Sequence, residues 1–174
     1  MITTGLLFLT HDVHSAMSVE ELADLGMVRM DDDEIRGFLA SQRTGVLGLP
    51  TDDGPHLLPL SFGFDGESTM YFTYVLGKQS RKEDLSDRAE SATFLVYDAQ
   101  SPFTWESVIL RGPITEVPEA EYAEAKATLT DAWRPDIFQR AELTRGVKIY
   151  GLEITEWSGL KHTGLPPGFE PRSE

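Results

Sequence analysis

From Thr44 onward the chain alternates apolar and polar positions in short runs separated by turn residues, which is the period of half-buried strands. Gly45-Val46-Leu47-Gly48-Leu49 leads through the turn Asp52-Asp53-Gly54 into His56 to Phe64, a hairpin signal. A second turn at Asp65-Gly66-Glu67 leads into Thr69 to Thr73. Strand pattern returns at Thr93 to Tyr97, at Ser107 to Leu110 before Gly112-Pro113, and at Val147 to Ile154. Helical spacing fills the intervals. Asp31-Asp32-Asp33-Glu34 caps a helix with apolar face Ile35, Phe38 and Leu39 that ends near Gln42. A short helix follows Ser80 through Leu85. Pro118 opens another, with Tyr122, Ala125, Leu129 and Trp133 on its inward stripe, broken at Pro135 and continued from Asp136 to Glu142. The pattern predicts a mainly β (α+β) fold, a six-stranded antiparallel barrel with peripheral helices.

At 174 residues, one domain with a sizeable core is expected. The barrel domain is assigned to residues 30–160. Residues 1–29 read as an extension with one short helix from Ser18 to about Leu25, capped by Ser18 with Glu21 and stopped by Gly26. Residues 161–174 read as a tail rich in proline and glycine. His11 and His14 have the spacing of a helical metal pair but no third ligand beside them, so no metal site is expected.

Charge narrows the partners. Fifteen basic against 29 acidic residues leave a formal charge of −14, which repels phosphate backbones and anionic lipid, so neither nucleic acid nor membrane is an expected partner. Such an excess suits concentrated salt, and a salt-rich, halophilic cytoplasm with an acidic proteome is the expected setting. The absence of cysteine excludes disulfides, thiolate metal sites, iron–sulfur clusters and a cysteine nucleophile. The apolar run Leu6 to Leu9 is too short to span a bilayer or act as an export signal, and a cytoplasmic location is expected.

Against that acidic background, Lys78, Arg81 and Lys82 fall within five positions. Ser80 can cap the helix that follows, and its hydroxyl, the first-turn N–H groups and the basic side chains converge on one anion. Arginine offers a forked donor and lysine a point charge, a pairing matched to a phosphate dianion. A solvated helix face paired with Glu83, Asp84 or Asp87 is the alternative, but basic residues in a first turn oppose the helix dipole.

Tyr71-Phe72-Thr73, a loop, then Ser80-Arg81-Lys82 and Asp84-Leu85 resemble the flavin-phosphate segment of the pyridoxamine 5′-phosphate oxidase-like split barrels. The resemblance extends to Leu58 to Gly63 and to Trp105-Glu106-Ser107-Val108. It implies a Greek-key-like split β-barrel, a homodimer with FMN at its interface, and flavin contacts at Pro59, Leu60, Ser61, Phe62, Thr73, Ser80, Arg81, Lys82, Ser107 and its neighbours Trp105 and Val108. The loop before Ser80 is longer than in the oxidase proper, so Lys78 joins this set on its charge alone. FMN is the cofactor expected, ahead of another flavin, a deazaflavin or haem.

No dinucleotide G-x-G-x-x-G fingerprint, P-loop, G-x-S-x-G elbow or H-E-x-x-H occurs. The expected function is therefore an FMN-dependent oxidoreductase of the pyridoxamine 5′-phosphate oxidase-like kind, including nitroimidazole-resistance-type reductases, that passes electrons from a reduced donor to a small-molecule acceptor. A flavin- or haem-binding module without turnover is the other reading. No catalytic residue is assigned.

Overall fold

The computed structural model describes residue 23, residues 25–129 and residues 146–164. Nine strands form one antiparallel sheet among these residues. In chain order they are β1 (Met27–Arg29), β2 (Thr44–Leu49), β3 (His56–Phe64), β4 (Thr69–Val75), β5 (Ala92–Ser101), β6 (Thr104–Gly112), β7 (Ile114–Glu116), β8 (Val147–Glu153) and β9 (Glu156–Thr163). Helix α1 (Asp32–Ser41) precedes β2, α2 (Arg81–Ser86) follows β4, and α3 (Tyr122–Thr128) follows a single 3-10 turn at Glu119–Glu121.

The spatial order β1-β9-β6-β5-β2-β3-β4-β8-β7 corrects the expected barrel in two ways. There are nine strands rather than six, and the terminal strands β1 and β7 do not pair with each other, so the curled sheet is a half-barrel and not a closed one. The six predicted strands correspond to β2 to β6 and β8. Strands β1 and β7 are three residues each, too short to display a period. In β9 the alternation is obscured because Gly159 lies where a bulky residue would be read as core. A Cβ there would meet Met30 and Ile35 at 2.9 Å, where the segment leading into α1 and α1 itself pack on the sheet.

Curling brings strands that are not neighbours into contact. Phe72 of β4 and Phe94 of β5 lie 4.9 Å apart between ring centroids, and Phe62 of β3 meets Phe94 edge-on at 5.4 Å. Leu47, Leu49, Met70, Val96, Val108, Leu110 and Leu152 complete a concave core, closed on one side by Ile35, Phe38 and Leu39 of α1. That helix starts as the sequence predicts: Asp31 accepts from the Glu34 N–H at 2.9 Å, and Glu34 accepts from the Asp31 N–H at 3.2 Å. A smaller cluster, Val117, Ala125, Leu129 and Ile149, packs α3 on the convex side of β8. The helix expected over 18–25 lies almost wholly outside the described residues. Trp133, the continuation past Pro135 and residues 165–174 lie outside them altogether.

Candidate functional site

Strand β3 changes partner midway. Its first part, His56 to Ser61, pairs with β2, whereas only Phe62, Gly63 and Phe64 pair with β4. Strand β4 meanwhile continues to Val75 along β8. Beyond the Phe62–Phe72 pair the two strands therefore no longer share a ladder, and a notch opens between Pro59 to Ser61 on one lip and Thr73 to Val75 on the other. The Phe62 N–H donates to the Arg43 carbonyl on the β2 side at 3.1 Å, so by alternation the main-chain groups of Ser61 face the notch. Pro59 shares that direction, and a proline is tolerated in the strand because its nitrogen faces no ladder partner.

Alternation also sorts the predicted contacts by face. Pro59, Ser61, Trp105 and Ser107 lie on the convex face; Thr73 projects oppositely to the buried Phe72 and so joins them. Leu60 packs against the core and Phe62 and Val108 are within it, so a ligand on the convex face does not meet the side chains of these three.

After Val75 the chain turns through Leu76 to Gln79, then enters α2 at the end of the half-barrel. Ser80 is buried and its hydroxyl accepts from the Glu83 N–H at 3.4 Å, a long cap. Beneath α2 lies a polar layer. Tyr74 and Tyr150 stack at 4.3 Å; the Tyr74 hydroxyl bonds Ser86 at 2.9 Å, and the Tyr150 hydroxyl donates to Asp87 at 2.7 Å. Burial pushes the Tyr74 phenol up to about 12, and burial reinforced by Asp87 pushes Tyr150 up as well. Both phenols stay neutral and act as fixed struts under the helix.

Lys82 is half-buried with its ammonium 5.1 Å from the centroid of the Tyr74 ring. Burial pulls its pKa below the ordinary lysine value. Among the described residues no carboxylate pairs with it, nor with the exposed Arg81 and Lys78. The adjacent acid, Glu83, instead meets Lys148 of β8 at 3.1 Å, and Lys148 also reaches Glu116 of β7 at 2.6 Å. Three cations thus fall on this stretch with no paired carboxylate among the described residues, although Glu83 and Asp84 share the first turn of α2. The donor set of one forked and two point cations with a buried hydroxyl fits a phosphate monoester.

Tyr74 and Lys148 escape a reading of the sequence, because strand register and not local pattern brings them here. The sign reversal at 78 to 82 is the local signal for the cations of this stretch.

Residues 31–161 match the family model described as pyridoxamine 5′-phosphate oxidase. The chain belongs to this family. Solved structures agree on the fold of this pyridoxamine 5′-phosphate oxidase-like, flavin-binding split-barrel group. A FAD-binding protein from Mesorhizobium loti superposes with a TM-score of 0.63 at 16% identity, covering 79% of this chain and 98% of its own. A FAD and haem binding protein from Mycobacterium smegmatis gives 0.62 at 17%, covering 81% and 75%. The flavocytochrome Anf3 from Azotobacter vinelandii gives 0.63 at 18%, covering 88% and 76%. Among curated proteins, none matches this family member in sequence.

Other concavities differ in character. One of about 330 Å³ lies by the β5–β6 hairpin and is lined by Asp98, Trp105, Glu106 and His162 among others, and two carboxylates make it unsuited to a phosphate. Buried His162 in its wall has Nδ1 2.7 Å from the Phe103 carbonyl and Nε2 3.1 Å from that of Leu25, so both ring nitrogens are engaged. No group of three or more metal-ligating side chains occurs among the described residues, and no described helix is long and apolar enough to cross a membrane.

Proposed function

We propose that this chain binds FMN in the notch between β3 and β4 and serves as a flavin-dependent oxidoreductase, passing electrons from a reduced donor to a small-molecule acceptor. One observation carries the reading: Lys82 is held half-buried over the Tyr74 ring, with its charge disfavoured and no carboxylate paired with it among the described residues, in a chain of formal charge −14. Burying a lysine without a counter-ion is unfavourable, and an anionic ligand offsets the penalty. Lys82, Arg81 and Lys78 would hold the phosphate, with Ser80 donating its hydroxyl proton. The Ser61 main chain and the Thr73 and Ser107 hydroxyls would meet the edge of the ring system from the convex face. The names of the structural relatives, two of them FAD-binding and one a flavocytochrome, support a flavin. FMN is favoured here because the three basic residues within five positions match one dianion.

When bound, the flavin supplies the hydride and electron chemistry, so the chain's own work is to fix the ring, exclude water from one face and leave the other open. A planar ring against a convex sheet is half-exposed, and a second copy of the chain covering it accounts for the open notch; we include a homodimer in the proposal.

An absorption spectrum tests the reading. The purified protein should carry or take up FMN, bleach anaerobically with reduced nicotinamide and recolour with an acceptor. Loss of flavin retention in Arg81→Ala with Lys82→Ala, at unchanged circular dichroism, is the expected companion result; unchanged FMN affinity in that double variant would reject the site.

A further inference from the structure

Lys82 and Ser86 stand four positions apart in α2, so they share one face of the helix. Both reach Tyr74 of β4. Ser86 meets its hydroxyl at 2.9 Å, and the Lys82 ammonium lies 5.1 Å from the centroid of its ring. That ring is fully buried and held in place, because it stacks on Tyr150 at 4.3 Å with 24° between the planes, and Tyr150 is tied in turn to Asp87 at 2.7 Å. One tyrosine thus fixes both where α2 sits on the sheet and where its lysine ends.

An aromatic face suits this lysine for an electrostatic reason. It attracts an ammonium through its quadrupole while carrying no net charge. A carboxylate in the same place would neutralise the lysine and repel a phosphate, and the ring does neither. The ring also takes up only one side of a group with three N–H donors, leaving the others for an anion. Among the described residues no carboxylate pairs with Lys82, so the ring is the partner of its charge.

We infer that Tyr74 is a specificity-determining residue of the phosphate pocket: its ring face positions the Lys82 ammonium for the ligand without neutralising it. The inference rests on the phosphate reading above and extends it to a buried tyrosine that need not touch the ligand. Tyr74 is a positioning residue acting through Lys82. Its signature is selectivity between a flavin with a phosphate and one without, carried by the ring and not by the hydroxyl.

The test compares equilibrium binding of FMN and riboflavin to the full chain, followed by flavin fluorescence. The wild-type chain should prefer FMN. Tyr74→Phe loses the Ser86 bond but keeps the ring, and should keep most of the preference. Tyr74→Leu loses the ring and should cut the FMN-to-riboflavin ratio by about fivefold. A trifluorinated phenylalanine at position 74 keeps the shape of the ring while withdrawing its electrons. It should lower the ratio relative to Tyr74→Phe, and it serves even if Tyr74→Leu does not fold. A ratio that fluorination leaves unchanged, or one already lost in Tyr74→Phe, overturns the inference while leaving the phosphate reading intact. Equal weakening of both flavins in Tyr74→Leu makes the residue a packing element and overturns the inference in the same way. A wild-type chain that binds both flavins alike overturns the phosphate reading and this inference with it.

Discussion

Half-buried over an aromatic face, the Lys82 ammonium is the least comfortable charge at the notch. Its pKa in the folded chain lies below the ordinary value of 10.5 because burial penalises the charged form. For a lysine shifted in this direction the folded state binds its proton more weakly than the unfolded state, so stability is diminished at neutral pH and recovers as pH rises past the folded value. Lys82→Met should therefore raise the melting temperature of the flavin-free chain while weakening FMN binding, a separation of stability from function that calorimetry with and without FMN will show. If Lys82→Met lowers the melting temperature of the free protein, the residue is a packing element and not an ion-binding one. Binding has the complementary pH profile. FMN affinity should decline as pH climbs toward the lysine range, earlier than an exposed lysine would dictate, whereas riboflavin affinity stays level. Tyr74, pushed up to about 12, remains neutral over that interval, so the decline reports Lys82. A level FMN profile up to the ordinary lysine value would remove Lys82 from the pocket.

Among the elements, legibility followed locality. Strands β2 to β6 and β8 are readable because each carries its own alternation, and α1 because Asp31 and Glu34 form a complete capping box. The phosphate-binding candidates were readable because Lys78, Arg81 and Lys82 invert the sign of the chain within a few positions. What was not readable depends on distant pairing: the unclosed sheet, the transfer of β3 from β2 to β4 that opens the notch, and the Lys148–Glu83 bridge across 65 positions of numbering. Gly112 illustrates the same division. In sequence it reads as a strand terminator before Pro113; in the fold it sits where the chain passes from β6 to β7, and a Cβ there would collide with the carbonyl of Glu153. Gly37, in the middle of α1, has nothing within 4 Å of the same atom. Gly112→Ala should destabilise by about 3 kcal/mol or prevent folding, since backbone must move to admit the methyl group. Gly37→Ala should stabilise by about 0.5–1 kcal/mol through helix propensity and the unfolded chain. Urea titrations of the two variants test the contrast, and equal effects would refute the close approach at Gly112.

On the scale of the whole molecule, the convex face of β3, β2, β5 and β6 exposes large apolar side chains among the described residues. Pro59, Val46, Leu95 and Ile109 form one continuous register row across those strands, flanked by Leu57, 61% exposed, and Tyr97, 55% exposed. That row carries no charge in a chain of formal charge −14, and a monomer seldom leaves a contiguous apolar surface of this kind in water. It adjoins Ser61 and Ser107, so a second copy seated here would cover the flavin proposed for the notch. Two opposed forces then set the association: apolar burial at the face draws the copies together, while the net charge on each drives them apart at a range set by the Debye length. Because the attractive part is uncharged, added salt screens only the repulsion. The dimer should thus tighten as ionic strength rises, the reverse of an interface held by ion pairs. Ile109→Glu, placing a carboxylate within the row at a position 42% exposed in the single chain, should shift the protein to monomer and lower flavin retention together, and high salt should only partly restore both. Sedimentation velocity across a salt series, read alongside bound-flavin absorbance, tests the coupling. A wild-type dimer that loosens with salt, or an Ile109→Glu variant that stays dimeric, would place the interface on another face.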